Sequence, residues 1–212
     1  MRIIGNRGNT ARKVQAVASG ALASGDTVVV NANGTVSVVA GGSQSIGSET
    51  NFETGGRVEH LSAAYDANAQ KVVIAYRDNT NSNYGTAIVG TVSGTSITFG
   101  TAVVYHADAT NYSSIVYDEN AQKVVIAYQD DNDSNKGTAI VGTVSGTGIS
   151  FGSPTVFDTD NAFINTVYDA NAQKIVISYQ DGGNSNYGTA VVGTVSGTSI
   201  SLGTPVVYGS AD

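Results

Sequence analysis

The sequence contains no cysteine and no tryptophan, only two prolines, and only 13% charged residues. Without cysteine there is no disulfide framework, no thiol nucleophile and no cysteine-ligated zinc. No apolar run approaches the ~20 residues needed to span a bilayer, so no membrane insertion is expected. The opening MRIIGNRGNTARK lacks the apolar core of a secretory signal, and any export is expected to use another route. Cations are scarce as well. Ten Lys and Arg against seventeen Asp and Glu leave a formal charge of −7, so there is no electrostatic reason to expect phosphate backbones or anionic lipid as partners, and nucleic acid is not expected.

What is abundant is glycine, at 26 residues, together with Val, Thr, Ser, Asn and Tyr. β-Branched and aromatic side chains suit strands, and Gly and Asn suit tight turns, so the composition describes an all-β protein of many short strands. Three segments, 65–105, 117–157 and 168–208, share the wording YDxNAQK(V/I)V(I)xYxD, a polar loop, GTAxVGTVSGTxIxxG and a final apolar run. Gln70, Gln122 and Gln173 recur at intervals of 52 and 51 residues. In the middle copy the pattern predicts four strands: Ser113 to Tyr117, Lys123 to Gln129, Gly137 to Val144 and Ile149 to Phe157. The turns between them carry Asp118 to Gln122, Asp130 to Lys136 and Ser145 to Gly148. The second and third strands, VVIAY and TAIVGTV, are apolar on both faces, as strands covered on both sides are. A four-stranded unit of this size cannot bury both faces by itself, so neighbours must cover it. The predicted fold is a propeller-like array of four-stranded antiparallel blades, with a linear stack of sandwich modules or a solenoid as the alternative.

Residues 43–212 form the expected repeat domain, and residues 1–42 an N-terminal arm with a small β-hairpin module. Ser45 to Thr54 aligns with Ser150 to Thr159, so the first full unit follows the end of a degenerate half unit. Three and a half blades do not close a ring, since about four are needed. Copies of the chain are therefore expected to complete one another, unless the stack stays open or the gene product continues further. The arm carries Arg2, Arg7, Arg12 and Lys13, four of the ten basic residues, and suits attachment to an acidic neighbour.

Catalysis needs a nucleophile with a base, paired carboxylates or a metal site, and none stands out. His60 shares its repeat column with Tyr112 and Phe163 and reads as an aromatic packing position; His106 shares its column with Asp158 and Gly209 and reads as a surface loop residue. Asp66, Asp118 and Asp169 read as turn formers, their carboxylates accepting backbone amides. Asp78, Asp130 and Asp181 open the second turn in each unit, and a catalytic group is seldom needed three times over. The loop of Asp131, Asp133 and Asn135 alternates oxygen ligands as a calcium loop does, but its counterparts carry one carboxylate each and no Glu follows at EF-hand spacing; a polar turn is the default, with no metal and no cofactor expected. The same second turns present Asn81, Asn83 and Tyr84, then Asp133, Asn135 and Lys136, then Asn184, Asn186 and Tyr187. Amides beside a tyrosine ring suit sugar hydroxyls and ring faces, so this edge is the candidate glycan contact.

The stretch VASGALASGDTVVVNANGTVSVV followed by YDANAQKVVIAYRD-type repeats resembles structural proteins of tailed bacteriophages, in particular repeat-containing fibre and particle-surface proteins of marine and cyanobacterial phages. The resemblance implies a non-enzymatic virion component on the particle surface, of tail or head fibre or receptor-binding type. Its N-terminal region would attach to other virion proteins, with the repeats projecting towards a host surface glycan. It carries over no catalytic residues. A capsid or tail decoration protein is the alternative within that class, and a free carbohydrate-binding lectin the alternative outside it.

Overall fold

The computed structural model describes residues 17–18, 21–22, 28–38 and 47–209. Contacts divide the chain into two compact parts, Met1–Ile46 and Gly47–Asp212. Arg2, Arg7, Arg12 and Lys13 lie outside the described residues. In the first part, β1 (Val17–Ala18), β2 (Val28–Val30) and β3 (Thr35–Val38) form a three-stranded sheet in the order β1-β3-β2. β2 and β3 form a hairpin that turns at Asn33-Gly34. Gly34 adopts φ +78°, and the Asn33 side chain accepts from the Thr35 amide at 3.1 Å. The repeat pattern did not foresee the parallel pairing of β1 with β3.

The second part is all-β and antiparallel. It runs β4 (Val58–Asp66), β5 (Lys71–Asp78), β6 (Tyr84–Ser93), β7 (Ser96–Phe99), β8 (Val103–Asp118), β9 (Lys123–Asp130), β10 (Lys136–Ser145), β11 (Gly148–Phe151), β12 (Thr155–Asp158), β13 (Asn161–Asp169), β14 (Lys174–Asp181), β15 (Tyr187–Ser196), β16 (Ser199–Leu202) and β17 (Val206–Gly209), with one 3-10 turn at Gly182–Asn184. Pairing resolves these strands into three four-stranded meanders, one per repeat. In the second, β8 pairs β9, β9 pairs β10, and β10 pairs both β11 and β12. The first and third repeat this connectivity.

Two expected boundaries are corrected. The fourth strand is broken in every unit, as β11 and β12 in the middle one, because Gly152 to Pro154 interrupts the ladder. Proline, which has no amide to donate, stands at the break in the second and third units, whereas the first unit breaks at Gly100 to Ala102 without one, so the recurring glycine is the common element. In addition, the first strand of the middle unit is not a separate element from Ser113. It is the second half of β8, whose residues 103–109 pair with β6 and whose residues 110–118 pair with β9. One continuous strand thus closes the first unit and opens the second, which merges their hydrogen bonding into one nine-stranded sheet.

The units pack face to face through two apolar clusters, and the period-2 geometry of a strand explains both. In β9, Val124, Ile126 and Tyr128 point towards the first unit, where they meet Val73, Ala75, Ala87 and Val89. Val125 and Ala127 point the other way and meet Ile175, Ile177 and Tyr179 of the third unit. The middle unit is therefore buried on both faces, which is why its strands are apolar at consecutive positions. Hydrogen bonds repeat across both junctions: the Ile115 amide donates to Ser62 Oγ at 3.1 Å and the Thr166 amide to Ser114 Oγ at 3.0 Å. Likewise the Asn68 and Asn120 amides donate to the Tyr117 and Tyr168 hydroxyls, each at 3.2 Å.

Candidate functional site

The second turns, between the second and third strands of each unit, are built alike. Each closes on a Ser-Asn pair in the left-handed region: Ser82 and Asn83 at φ 55° and 64°, Ser134 and Asn135 at 57° and 58°, Ser185 and Asn186 at 55° and 61°. Two successive left-handed residues reverse the chain tightly, and asparagine tolerates that conformation better than most side chains. The opening aspartates hold the turns. Asp78 Oδ1 accepts from the amides of Thr80 and Asn81 at 2.9 and 3.1 Å and from the Thr80 hydroxyl at 2.6 Å, and Asp130 Oδ1 accepts from the Asp133 amide at 3.3 Å. The third turn contains the 3-10 segment instead, and all three share one backbone bond, from the Asn79, Asp131 and Gly182 amides to the Arg57, Ala109 and Asp160 carbonyls at 3.3, 3.0 and 2.7 Å.

This construction leaves Asn81, Asp133, Asn184 and Asn186 exposed. Tyr84, Lys136 and Tyr187 sit half-buried opposite Asp78, Asp130 and Asp181 in the ladder. Asn83 and Asn135 are less open than Asn186 because their carbonyls accept the Thr110 and Asn161 amides of the following unit, at 3.2 and 3.0 Å. Among the described residues, the side-chain amides of Asn81, Asn83, Asn135, Asn184 and Asn186 make no hydrogen bond. Their polar groups face outward at equivalent places on successive units. In the middle copy the Asp133 carboxylate is engaged by Lys136 Nζ at 2.7 Å, and Asp131 accepts from Asn111 Nδ2 at 2.8 Å. The two carboxylates of that alternating loop are thus directed at a protein amide and a protein cation, and no group of three or more His, Cys, Asp or Glu among the described residues is placed to hold a metal ion.

Beside the first two turns lies a polar network that the repeat pattern alone did not reveal. Glu59 Oε2 accepts from Asn79 Nδ2 at 3.0 Å, Arg57 pairs with Glu59, and the Arg77 guanidinium lies 3.9 Å from the same carboxylate. Arg77 also donates to Asn111 Oδ1, and Asn111 Nδ2 donates in turn to Gln129 Oε1 at 3.1 Å. The Asn79 hydrogen bond, aided by the two arginines, holds the Glu59 carboxyl below its ordinary pKa. The signal in the sequence was a departure from the repeat: Arg77 stands where the other units carry Gln129 and Gln180, and Glu59 stands where they carry Asn111 and Ala162.

The remaining sequence candidates have structural places. Asp66, Asp118 and Asp169 accept the amides of Ala69, Ala121 and Ala172 at 2.8, 2.8 and 2.9 Å, the turn role expected of them. His60, Tyr112 and Phe163 each occupy a β-bulge at φ 50°, 49° and 52° and stack in a ladder, with ring centroids 5.4 Å apart for the first pair and 5.0 Å for the second. Burial, with Arg77 nearby, lowers the His60 pKa. His106 is not a surface-loop residue. It lies within β8, with Nδ1 3.2 Å from the Tyr128 hydroxyl and Nε2 3.0 Å from Asp130, because the connector expected there is continuous strand. Its counterpart Asp158 is raised in pKa, first by burial and then by the neighbouring Asp181.

No protein-family profile matches this sequence, and no curated protein is significantly similar to it.

Proposed function

We propose that the chain is a non-enzymatic structural and binding protein of a tailed-phage particle, a fibre or receptor-binding component in which propeller-like blades present one loop edge outward. The observation that carries this reading is the threefold recurrence of a single turn with the same left-handed Ser-Asn pair, to which the first and third units add a second exposed asparagine and a tyrosine, where the middle unit carries Asp133 and Lys136. A contact surface offered several times on a rigid support suits multivalent attachment, because each further contact gains from the effective concentration set by the first. A sugar is the ligand class these groups fit: free amides for hydroxyls, and the rings of Tyr84 and Tyr187 for the apolar face of a pyranose. The sequence resemblance to phage fibre and particle-surface proteins supports the setting. The four-stranded meanders stacked face to face support the blade arrangement.

The test is a glycan array probed with the full chain and with the Tyr84→Ala/Tyr187→Ala double variant. Binding to a defined set of glycans that the double variant loses is the expected result. Identical signals from both proteins, or no binding to any glycan, would remove the adhesive role. Mass spectrometry of purified particles then gives the copy number, a few per particle for a fibre and hundreds for a shell protein.

A further inference from the structure

The two junctions within the chain follow one plan, and the outermost faces of the array carry the two halves of that plan separately. At each junction an aromatic residue of the fourth strand lies on the tyrosine of the next unit's second strand. Tyr105 sits 5.2 Å from Tyr128, and Phe157 sits 5.1 Å from Tyr179. A glycine in the broken fourth strand is also covered by the next unit's third turn. A Cβ at Gly100 or Gly152 would fall 1.9 Å from the carbonyl oxygen of Thr147 or Thr198.

On the third unit, the corresponding residues have no such cover. Tyr208, the counterpart of Phe157, is 67% exposed, and Phe163, the last ring of the aromatic ladder, is 65% exposed. Val167 and Val192 are exposed as well, although their counterparts Val116 and Val141 pack in the second apolar cluster. Around Gly203, the counterpart of Gly152, a Cβ would meet, among the described residues, only Val192 O at 3.5 Å.

On the first unit, the complementary face is half occupied. Residues 47–54, the end of the degenerate unit, fill the outer part as a preceding unit would: Phe52 lies 5.2 Å from Tyr76, and a Cβ at Gly47 would fall 1.6 Å from the Thr95 carbonyl oxygen. The part built on β4 is open. Leu61 and Tyr65 are exposed, whereas their counterparts Ile164 and Tyr117 are buried.

We propose that the exposed face of the third unit docks onto the first unit of a second copy of this chain, its fourth strand taking the place held there by residues 47–54. The occupant follows from continuity, since the docking repeats an interface the chain already makes twice. Phe163 extends the aromatic ladder onto His60, Tyr208 replaces Phe52 over Tyr76, and the Asn171 amide, which on the uncovered face donates to Asp169 Oδ1 at 2.9 Å, turns to the Tyr65 hydroxyl as Asn68 and Asn120 do to theirs. Such an interface is head-to-tail, so it closes into a ring or grows as a filament. The segment 47–54 is then a placeholder that competes with assembly. This inference stands independently of any glycan contact.

The test is solution mass by light scattering and sedimentation over a wide concentration range. Single variants Val192→Glu and Tyr65→Glu place a charge on each face at exposed positions, and Val167→Lys repeats the first on another strand. The expected result is concentration-dependent association that each variant abolishes. A mixture of Val192→Glu and Tyr65→Glu proteins should stop at two copies, because each retains the face the other lacks. Phe52→Ala should shift association to concentrations lower by at least about tenfold, as loss of the Phe52 contacts with Tyr76 and Phe99 from the competing strand implies. Monomers at every concentration for both the native chain and Phe52→Ala would overturn the proposal. So would association that Val192→Glu abolishes and Tyr65→Glu leaves intact, which would mean that two third-unit faces meet each other.

Discussion

Replacing one isoleucine by alanine at three equivalent positions, Ile74, Ile126 and Ile177, separates the contribution of stacking from that of the sheet. All three occupy the same place in the second strand, with the same backbone pairing to the third strand. Ile126 and Ile177 are fully buried at the two junctions, while Ile74 faces outward from the array and is only partly buried. Truncation to alanine removes three carbon groups, worth about 0.8 kcal/mol each when fully buried, and a cavity penalty is added where neighbours cannot collapse. The expected loss is about 3–4 kcal/mol at Ile126 and at Ile177. At Ile74, where part of the side chain is already hydrated and less of a void is left, about 1–2 kcal/mol is expected. For a chain of this size a difference of about 2 kcal/mol separates the melting midpoints by roughly 4–8 °C. Urea denaturation followed by far-ultraviolet circular dichroism, with melting curves alongside, reads the series. Equal losses at all three positions would refute the reasoning, because they would mean that the units hold together through their own sheets rather than through the faces between them.

Two further outcomes follow from individual contacts. Gly152→Ala should destabilise by at least about 2 kcal/mol, since the new Cβ meets the Thr198 backbone carbonyl and the junction must open, whereas Gly203→Ala should be close to neutral; thermal melts of the two variants check the contrast. Asp158 has its pKa raised in the folded protein, so the fold binds a proton more tightly there than the unfolded chain does. The stability linked to that proton is present at low pH and is lost as pH rises through the raised value. Asp158→Asn should therefore raise the melting midpoint at neutral pH, with the advantage over the native chain shrinking as pH falls; an advantage independent of pH would show that the carboxylate charge is not its source.

Much of this fold is legible in the chain because repetition makes local signals redundant. The recurring Asp-x-Asn-Ala-Gln turns, the Ser-Gly-Thr hairpins and the alternation within each strand are set by short-range rules: which residues accept a left-handed backbone, which carboxylates can reach an amide three residues on, and which side of a strand a residue faces. Runs such as Val124 to Tyr128, apolar at consecutive positions, already require cover on both faces. The columns of the repeat likewise placed His60 among aromatic residues and Asp118 in a turn. Other features depend on partners distant in the sequence. The repeat does not tell that β8 passes from one unit into the next, because strand continuity across a connector rests on pairing with β6 on one side and β9 on the other. For the same reason His106 reads as a loop residue until Tyr128 and Asp130 are brought beside it. The Glu59, Arg77 and Asn111 network joins residues 18 to 52 positions apart and appears in the sequence only as three irregular letters in a regular pattern. Sequence alone determined the unit, its turns and its two apolar faces, all consequences of local backbone geometry. Only the tertiary structure decided which of those faces are covered and which are left open, because burial is a property of what lies opposite a residue and not of the residue itself.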